Sequence, residues 1–283
     1  MMLPRLVTAT PVADVRDITA LPDGGWLVIE PAAAVVLSAQ LQPVHRIALP
    51  ELEDDFSADF DGHTLVVGDK TQVVALGTDG EVRWRHGTGL LELHLATDCL
   101  WVTRDDLLAA VDIGTGRMLA ATDVEDPMLT GRDLIVSRFE DSPLRPWLAG
   151  GRITLQPLGG GYVIATGTRG YLATGWDEPD VTWHDLATGT QLAGRRIEEP
   201  VDGCALISDD YAVINDDLVA IRTLRPVGPL DVPVRALRTS ATPGRWLTVG
   251  PVLRLWELSA VPGQLMLGED PLDARADLGQ DLV

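Results

Sequence analysis

Short apolar runs alternate with polar turns along most of the chain. The runs are rich in Val, Ile, Leu and Ala and are bounded by Gly, Pro, Asp and Asn, as in residues 56–84, FSADFDGHTLVVGDKTQVVALGTDGEVRW. Such runs are typical of strands, whereas no stretch has the roughly 3.6-residue apolar period of a convincing amphipathic helix. The pattern therefore predicts an all-β chain of short strands joined by tight turns.

The runs recur as a unit with a period of roughly 35 to 40 residues. Residues 18–47 and 56–84 are the clearest copies, and each combines an apolar segment, an Asp-Gly turn and further β-rich segments separated by polar turns. A repeat of this length built from strands is the signature of a β-propeller, in which each repeat forms one blade around a central axis. We therefore predict a single closed β-propeller.

The number of blades follows from the second strand of each unit. This strand is predicted at residues 26–29, 64–67, 100–103, 134–137, 162–165, 211–214 and 246–249. The markers predict seven blades. The unit near residue 134 is weak, because too few residues separate Phe139 from Arg152 for two more regular strands. Either that blade is degenerate, or the ring has six blades and an insertion over residues 140–158.

The domain prediction places the propeller at residues 14–268. Residues 1–13 precede it, and we expect residues 5–8 to add a strand to the last blade, because ring closure removes open sheet edges. Residues 269–283, EDPLDARADLGQDLV, form an acidic segment with few apolar anchors. We expect this C-terminal tail to be mobile or bound to a partner.

Several segments resemble known propeller repeats. Residues 181–189, VTWHDLATG, and 252–258, VLRLWEL, resemble the third strand and turn of a WD40 repeat, and the Asp-Gly turns at 23–24 and 61–62 fit its first hairpin. Residues 76–84, LGTDGEVRW, resemble the repeat of quinoprotein-like propellers. The usual Gly-His dipeptide before each blade is missing, which implies that most blades lack the structural tetrad of the WD40 family. The resemblance implies a propeller and assigns no subfamily.

The charge of the chain restricts its partners. The chain has 283 residues, with 22 Lys and Arg against 42 Asp and Glu, for a net charge of −20. Such a surface repels phosphate backbones, so we predict no nucleic-acid partner. Cys99 and Cys204 are too few for a disulfide framework, and neither a secretion signal nor a membrane span is evident. We therefore predict a cytoplasmic protein without a membrane partner. Basic residues are almost all Arg, which we associate with a high-GC bacterial genome.

Known catalytic motifs are missing from the sequence. Cys-x-x-Cys, His-Glu-x-x-His, a Walker loop and a Gly-x-Ser-x-Gly elbow do not occur. The acidic stretch at residues 57–68 lacks the first and last ligands of a calcium loop, and the five histidines have no metal-ligand spacing. We predict no catalytic residue, no metal and no cofactor. Two alternatives stay open: a propeller lyase or lactone or ester hydrolase, and a small-ligand sensor, both using the central channel.

Acidic residues concentrate in the loops that join second to third strands and in those that join successive blades. In a propeller these loops open on one face, which we predict to bind a protein or a basic peptide. The alternative is that the acids only cap turns. Two irregular loops on this face, residues 140–147 and 168–180, carry aromatic residues of the kind that dominate interfaces. The predicted partner-binding residues are Arg145, Trp147, Tyr171, Trp176, Asp177, Glu178 and Asp180. We therefore predict a non-catalytic interaction scaffold, a subunit of a bacterial multiprotein assembly.

Overall fold

The computed structural model consists of strands and turns. It describes residues 2–12, 14–53, 55–87, 92–96, 98–130, 135–137, 142–167, 169–175, 180–197, 200–201, 203–208, 210–230, 237–240 and 242–260. These residues form 28 strands, which pair into seven four-stranded antiparallel sheets. The all-β prediction is confirmed. None of the described segments is a helix with the length and apolarity that a membrane crossing requires.

The strands follow the repeat along the chain. The first three sheets contain β2 (Asp17–Ala20), β3 (Trp26–Glu30), β4 (Ala33–Leu37) and β5 (Pro43–Ala48); β6 (Phe56–Phe60), β7 (Thr64–Asp69), β8 (Val73–Gly77) and β9 (Val82–His86); and β10 (Glu92–Leu95), β11 (Leu100–Arg104), β12 (Leu107–Val111) and β13 (Met118–Asp123). The next two contain β14 (Met128–Thr130), β15 (Ile135–Ser137), β16 (Leu144–Ala149) and β17 (Arg152–Pro157); and β18 (Tyr162–Thr166), β19 (Gly170–Thr174), β20 (Asp180–Asp185) and β21 (Gln191–Arg196). The last two contain β22 (Cys204–Leu206), β23 (Tyr211–Ile214), β24 (Asp217–Ala220) and β25 (Arg225–Pro229); and β26 (Leu237–Thr239), β27 (Arg245–Thr248) and β28 (Val252–Ala260), with β1 (Met2–Pro11) as the fourth strand.

The sheets form a closed ring around a central channel. The first strands of successive sheets contact one another: β6 contacts β10, β10 contacts β14, and the series continues through β18, β22 and β26 to β2. The contact between β3 and β6 closes the ring. In the last sheet β1 pairs antiparallel with β28, so the N-terminal strand completes the outside of that sheet. Residues 5–8, which we expected in a ring-closing strand, lie within β1. This architecture is a single β-propeller.

The core lies between neighbouring sheets. The second and third strands of the first two sheets are almost fully buried on both faces, which explains why they are continuous apolar runs such as WLVIE and AAVVL. Leu27 and Ile29 of β3, for example, share one cluster with Leu65 and Val67 of β7. The tryptophans at repeat positions serve the same core, since Trp26, Trp84, Trp101, Trp183 and Trp246 are all buried.

The outermost strands differ in one regular feature. In six sheets, the pairing of the outermost strand with its neighbour shifts register at a β-bulge or similar irregularity, for instance between Ala75 and Leu76 of β8 opposite β9. In the remaining sheet, β16 and β17 pair through six consecutive residues without a shift, from Leu144 opposite Pro157 to Ala149 opposite Arg152. A bulge twists an edge strand and disrupts its pairing, so β17 is the one outermost strand of the described ring without this distortion.

The sheets β14–β17 and β18–β21 correct the alternative of an inserted loop and one of the seven strand markers. Residues 144–149 and 152–157 form β16 and β17, so they are strands and do not form an inserted loop. The sheet is nevertheless irregular, because β15 joins β16 through the single described pair Val136 and Leu144. The marker at residues 162–165 is also wrong, since it lies in β18, the first strand of its sheet, whereas the second strand is β19. The other six markers overlap second strands.

Candidate functional site

The loops of the ring open at two rims. We call upper rim the loops that join second to third strands together with the connections between successive sheets. The lower rim holds the turns that join first to second and third to fourth strands. Because neighbouring strands are antiparallel, each set of loops lies at one end of the strands. The predicted acidic face corresponds to the upper rim.

Exposed carboxylates follow the upper rim around much of the ring. The predicted acids that are exposed there are Glu51, Glu53, Asp55, Asp105, Asp106, Glu125, Asp126, Asp216 and Asp217. Two ion pairs offset this charge: Lys70 Nζ lies 2.7 Å from Asp55 Oδ2, and Arg104 Nε lies 3.7 Å from Asp105 Oδ2. The acids of this rim that lie outside the described residues are Asp54, Glu140, Asp141, Asp177, Glu178, Glu198, Glu199 and Asp202.

Asp69 is buried, unlike the exposed acids of the upper rim. It is 1% exposed, and its Oδ1 accepts hydrogen bonds from the backbone N–H groups of Thr71 and Gln72 and from the Thr71 hydroxyl, at 2.7 to 2.9 Å. Its Oδ2 accepts from the Glu53 N–H at 3.0 Å. Burial disfavours the carboxylate, but these hydrogen bonds outweigh burial and lower the pKa of Asp69. This acid therefore holds two loops together.

Aspartates of the lower rim act within their own turns. Asp61 Oδ1 accepts from the backbone N–H groups of His63 and Thr64, both at 2.7 Å. Asp112 and Asp185 each accept from the backbone N–H and the hydroxyl of the threonine three residues later, at 2.6 to 2.8 Å. The threonine hydroxyl is the main cause that lowers the pKa of Asp112 and of Asp185. The interpretation of acids as turn caps is therefore right for these positions.

The turns at Asp112 and Asp185 share one sequence pattern, which is not among the motifs named above. In Asp-x-x-Thr-Gly, at residues 112–116 and 185–189, the glycine has a φ of +71° and its N–H donates to the aspartate carbonyl at 2.8 Å. At Gly116 a Cβ would lie 2.7 Å from the ring of Trp84 in the preceding sheet. The glycine is needed for both the conformation and the close packing of neighbouring sheets.

The described members of the predicted partner-binding site all lie in strands. Trp147 lies in β16, not in a loop, and is 41% exposed. Arg145 lies two residues earlier on the same strand, where its Nη1 donates to the Leu186 carbonyl at 3.5 Å. Asp180 begins β20 and is half-buried opposite Arg196 of β21. Trp176, Asp177 and Glu178 lie outside the described residues.

Tyr171 is a core residue, so its assignment to a partner-binding loop is wrong. It lies in β19, is fully buried, and stacks on the ring of His184 with centroids 5.1 Å apart. Its hydroxyl donates to the Gly159 carbonyl. Burial, with Asp185 nearby, raises the pKa of Tyr171 to about 12. His184 is satisfied in turn, since its ring nitrogens contact the Gly189 carbonyl at 3.1 Å and the Thr182 hydroxyl at 2.8 Å.

The central channel is a cavity of about 1300 Å³ lined mainly by the first strands. Its polar side chains link neighbouring strands. Asp59 Oδ2 accepts from the Leu95 N–H at 2.8 Å and lies 3.3 Å from His94 Nδ1. Glu92 accepts a hydrogen bond from the Leu129 N–H, and burial raises its pKa. These groups join the inner strands, and within the described part of the chain no group of three His, Cys, Asp or Glu side chains could hold a metal ion.

Comparisons with known proteins agree on the fold. No protein-family model matches the chain, and no curated protein matches it in sequence. Among solved structures, BamB from Moraxella catarrhalis is similar with a TM-score of 0.56 and 14% identity, over 90% of this chain and 98% of that one. The Cps50 (Swd1) β-propeller domain of Myceliophteria thermophila has a TM-score of 0.65 and 9% identity, over 91% of this chain and 100% of that one.

A third similar structure is U3-55K, with a TM-score of 0.58 and 12% identity over 90% of this chain and 98% of that one. Identities this low establish the fold and carry no function. They confirm the resemblance to propeller repeats that segments such as residues 181–189 indicate. The chain is therefore a β-propeller with WD40-type and BamB-type proteins as its structural neighbours, and no subfamily is assigned.

Proposed function

We propose that this chain is a non-catalytic scaffold that binds a basic segment of a protein partner at its upper rim. The observation that carries the proposal is the different use of acids at the two rims. Asp61, Asp112 and Asp185 of the lower rim are occupied in their turns, whereas Asp216 and Asp217 of the upper rim are exposed and cap no turn that the structure describes.

The physical basis is the negative electrostatic potential that the exposed carboxylates create along the upper rim. Exposed carboxylates recur from Glu51 to Asp217 at loops of several sheets, and Lys70 and Arg104 pair with two of them, Asp55 and Asp105. Such a rim attracts a cationic segment and speeds its association. The attraction acts over about 8 Å at physiological salt. A cytoplasmic place in a bacterial assembly is part of the proposal and rests on the sequence alone.

A test compares matched charge changes at the two rims. The upper-rim variant carries Asp105→Asn, Asp106→Asn, Asp216→Asn and Asp217→Asn. The control carries Asp23→Asn, Asp61→Asn, Glu81→Gln and Asp98→Asn on the lower rim. Asn at positions 23 and 61 keeps the side-chain oxygen that caps the turn. Both variants lose the same charge. The probe is a blocked ten-residue peptide with four lysines, measured by calorimetry at low and at physiological salt.

We expect the upper-rim variant to weaken peptide binding about tenfold at low salt, and the control less than threefold. Affinity of the unchanged protein should fall steeply with salt. Equal losses in both variants, or binding that ignores salt, would place the interface elsewhere. The same two variants then show where any protein recovered by affinity capture binds. A partner of the upper rim should no longer bind the upper-rim variant and should still bind the control. For such a partner Trp176→Ala is expected to cost about 2 kcal/mol of binding.

A further inference from the structure

The outer edge of β17 differs from the edges of the other sheets. β17 pairs with β16 over six residues without a bulge, whereas each of the other outermost strands shifts register. Bulges are a common means by which proteins prevent further strands from adding to an exposed edge. The edge of β17 lacks this means of protection, so it is a continuous template for another strand.

The hairpin turn determines which backbone groups face outward. Gly150 and Gly151 form a two-residue turn with φ values of 58° and 72°, and a Cβ on either would meet no atom within 4 Å. Such a turn places a hydrogen-bonded pair directly beside it, here Ala149 and Arg152, and bonded and non-bonded pairs alternate from there. The N–H and C=O groups of Ile153 and Leu155 therefore point away from β16.

Two prolines agree with this assignment. Pro146 and Pro157 both fall in non-bonded pairs, opposite Leu155 and Leu144, where the missing N–H costs no hairpin hydrogen bond. Within the part of the chain that the structure describes, no group donates a hydrogen bond to the Ile153 or Leu155 carbonyl. Two complete backbone pairs are thus available at this edge, and Pro157 limits their number.

The two faces of the hairpin define what an added strand would carry. Ile153 and Leu155 are half-buried against the cluster of Cys99 and Trp101 in the preceding sheet, so the neighbouring positions of an added strand would extend an apolar layer. On the opposite face Arg152 and Thr154 are exposed, and Thr154 is paired with the exposed Trp147. An added strand therefore needs apolar residues on one face and polar residues on the other.

Charge decides the kind of polar residue. Strands β14 to β17 contain two charged residues, Arg145 and Arg152, and no acid, in a chain with a net charge of −20. A carboxylate beside Arg152 would gain an exposed but complementary contact. A second copy of β17 would instead bring two basic edges together. The chemistry therefore favours a partner segment over self-association.

We propose that the edge of β17 binds an extended segment of a partner protein, with apolar residues alternating with Asp or Glu, as an added antiparallel strand. The added strand hydrogen-bonds to Ile153 and Leu155, and one of its carboxylates lies beside Arg152. This site is separate from the upper rim and selects the opposite charge, so it does not rest on the proposed function.

The test uses the full chain and a blocked eight-residue peptide that alternates valine with glutamate. Amide hydrogen exchange is followed by NMR with and without the peptide. We expect the Ile153 and Leu155 amides to exchange fast in the free protein and to become protected by the peptide. The Thr154 amide, already bonded to β16, should change little. A control peptide of the same composition, with the valines and glutamates in separate blocks, should protect neither amide.

Two variants separate the edge from its packing. Ile153→Pro removes an outward N–H without removing a hairpin bond, and should weaken peptide binding about tenfold, the loss expected for one or two hydrogen bonds. Ile153→Ala removes the packing but keeps the N–H, and should bind within about threefold of the unchanged protein. Equal loss in both variants would overturn the proposal. Slow exchange of both amides in the free protein would do so too, because the edge would then already be paired with a second copy or with residues of the same chain.

Discussion

The two rims of the propeller use the same residue type for different purposes. At the lower rim, Asp61 accepts two backbone hydrogen bonds in its own turn, and Asp112 does the same with a backbone N–H and a threonine hydroxyl. At the upper rim, Asp216 and Asp217 are exposed after β23 and cap no described turn. The number of acids at each rim does not distinguish structural from exposed carboxylates. The hydrogen bonds that each carboxylate accepts show which ones the fold needs. Lower-rim acids should affect stability, and upper-rim acids should affect binding.

The two rims exist only when the ring of sheets is closed. We therefore expect removal of β1 to have the largest effect on the free energy of unfolding. Deleting residues 1–11 removes a strand that pairs with β28 and packs Val7 against the cluster of Leu247 and Leu253. We expect a loss of roughly 3 kcal/mol or more in the free energy of unfolding. Urea denaturation measures it. An unchanged midpoint would show that the ring does not need this strand.

Asp69 tests the comparison from the other side, because it is an upper-rim acid with a structural role. Asp69→Ala leaves the N–H groups of Glu53, Thr71 and Gln72, which make part-buried hydrogen bonds, without their acceptor. We expect a loss of about 3 kcal/mol in the free energy of unfolding. The control is Lys70→Ala in the same turn, which should change the melting temperature little. If Asp69→Ala is as mild as this control, the hydrogen bonds do not stabilise the fold.

A matched pair of exposed aspartates compares the rims directly. Asp61→Ala removes the acceptor of two turn hydrogen bonds and should cost about 1 kcal/mol, as for the loss of a cap. Asp217→Ala on the upper rim should change the free energy of unfolding by less than about 0.5 kcal/mol, because this exposed side chain caps no turn that the structure describes. Both are measured by thermal and urea unfolding. Equal effects would contradict the difference between the rims.

The smallest effect is a dependence of stability on pH. The pKa values of Asp112 and Asp185 are lowered in the folded state, mainly by the hydroxyls of Thr115 and Thr188. A lowered pKa adds stability above the unfolded value of 3.8, and this stability is lost as the pH falls through the folded pKa. Replacing both by Asn should therefore flatten the fall in melting temperature below about pH 4. Replacing Thr115 and Thr188 by Val removes the hydroxyls that lower both pKa values and should flatten the same fall; an unchanged fall in both variants would contradict this prediction.

The period of the repeat predicted the architecture, because each blade contributes the same apolar runs. Runs such as those of β3, β7 and β11 are buried on both faces and therefore stand out between polar turns. The marker at residues 162–165 failed for a related reason. β18 and β19 both begin near a tyrosine and continue with small apolar residues, so the sequence does not show which of the two is central.

The candidate site was harder to predict than the fold. Tyr171 stands among Gly, Thr and Arg, which are typical of a loop, yet its ring is buried because His184 and Gly159 from distant positions provide a stacking surface and an acceptor. The sequence predicts a loop at Trp147 because residues 140–147 contain two prolines, Pro143 and Pro146. Pro146 of β16 and Pro157 of β17 lie in pairs that make no hydrogen bonds between these two strands. Only the register of the strands shows this.

The pairing of β1 with β28 has a consequence for how the protein forms. Arg5 and Glu257, joined by an ion pair across these strands, are 252 positions apart in the chain. Contacts between such distant residues require the closure of a long loop and are slow to form. During synthesis, β1 is made well before β28, and the two strands cannot pair until β28 has also been made. That interval, more than the finished ring, is when other chains in the cell compete for the edge of either strand.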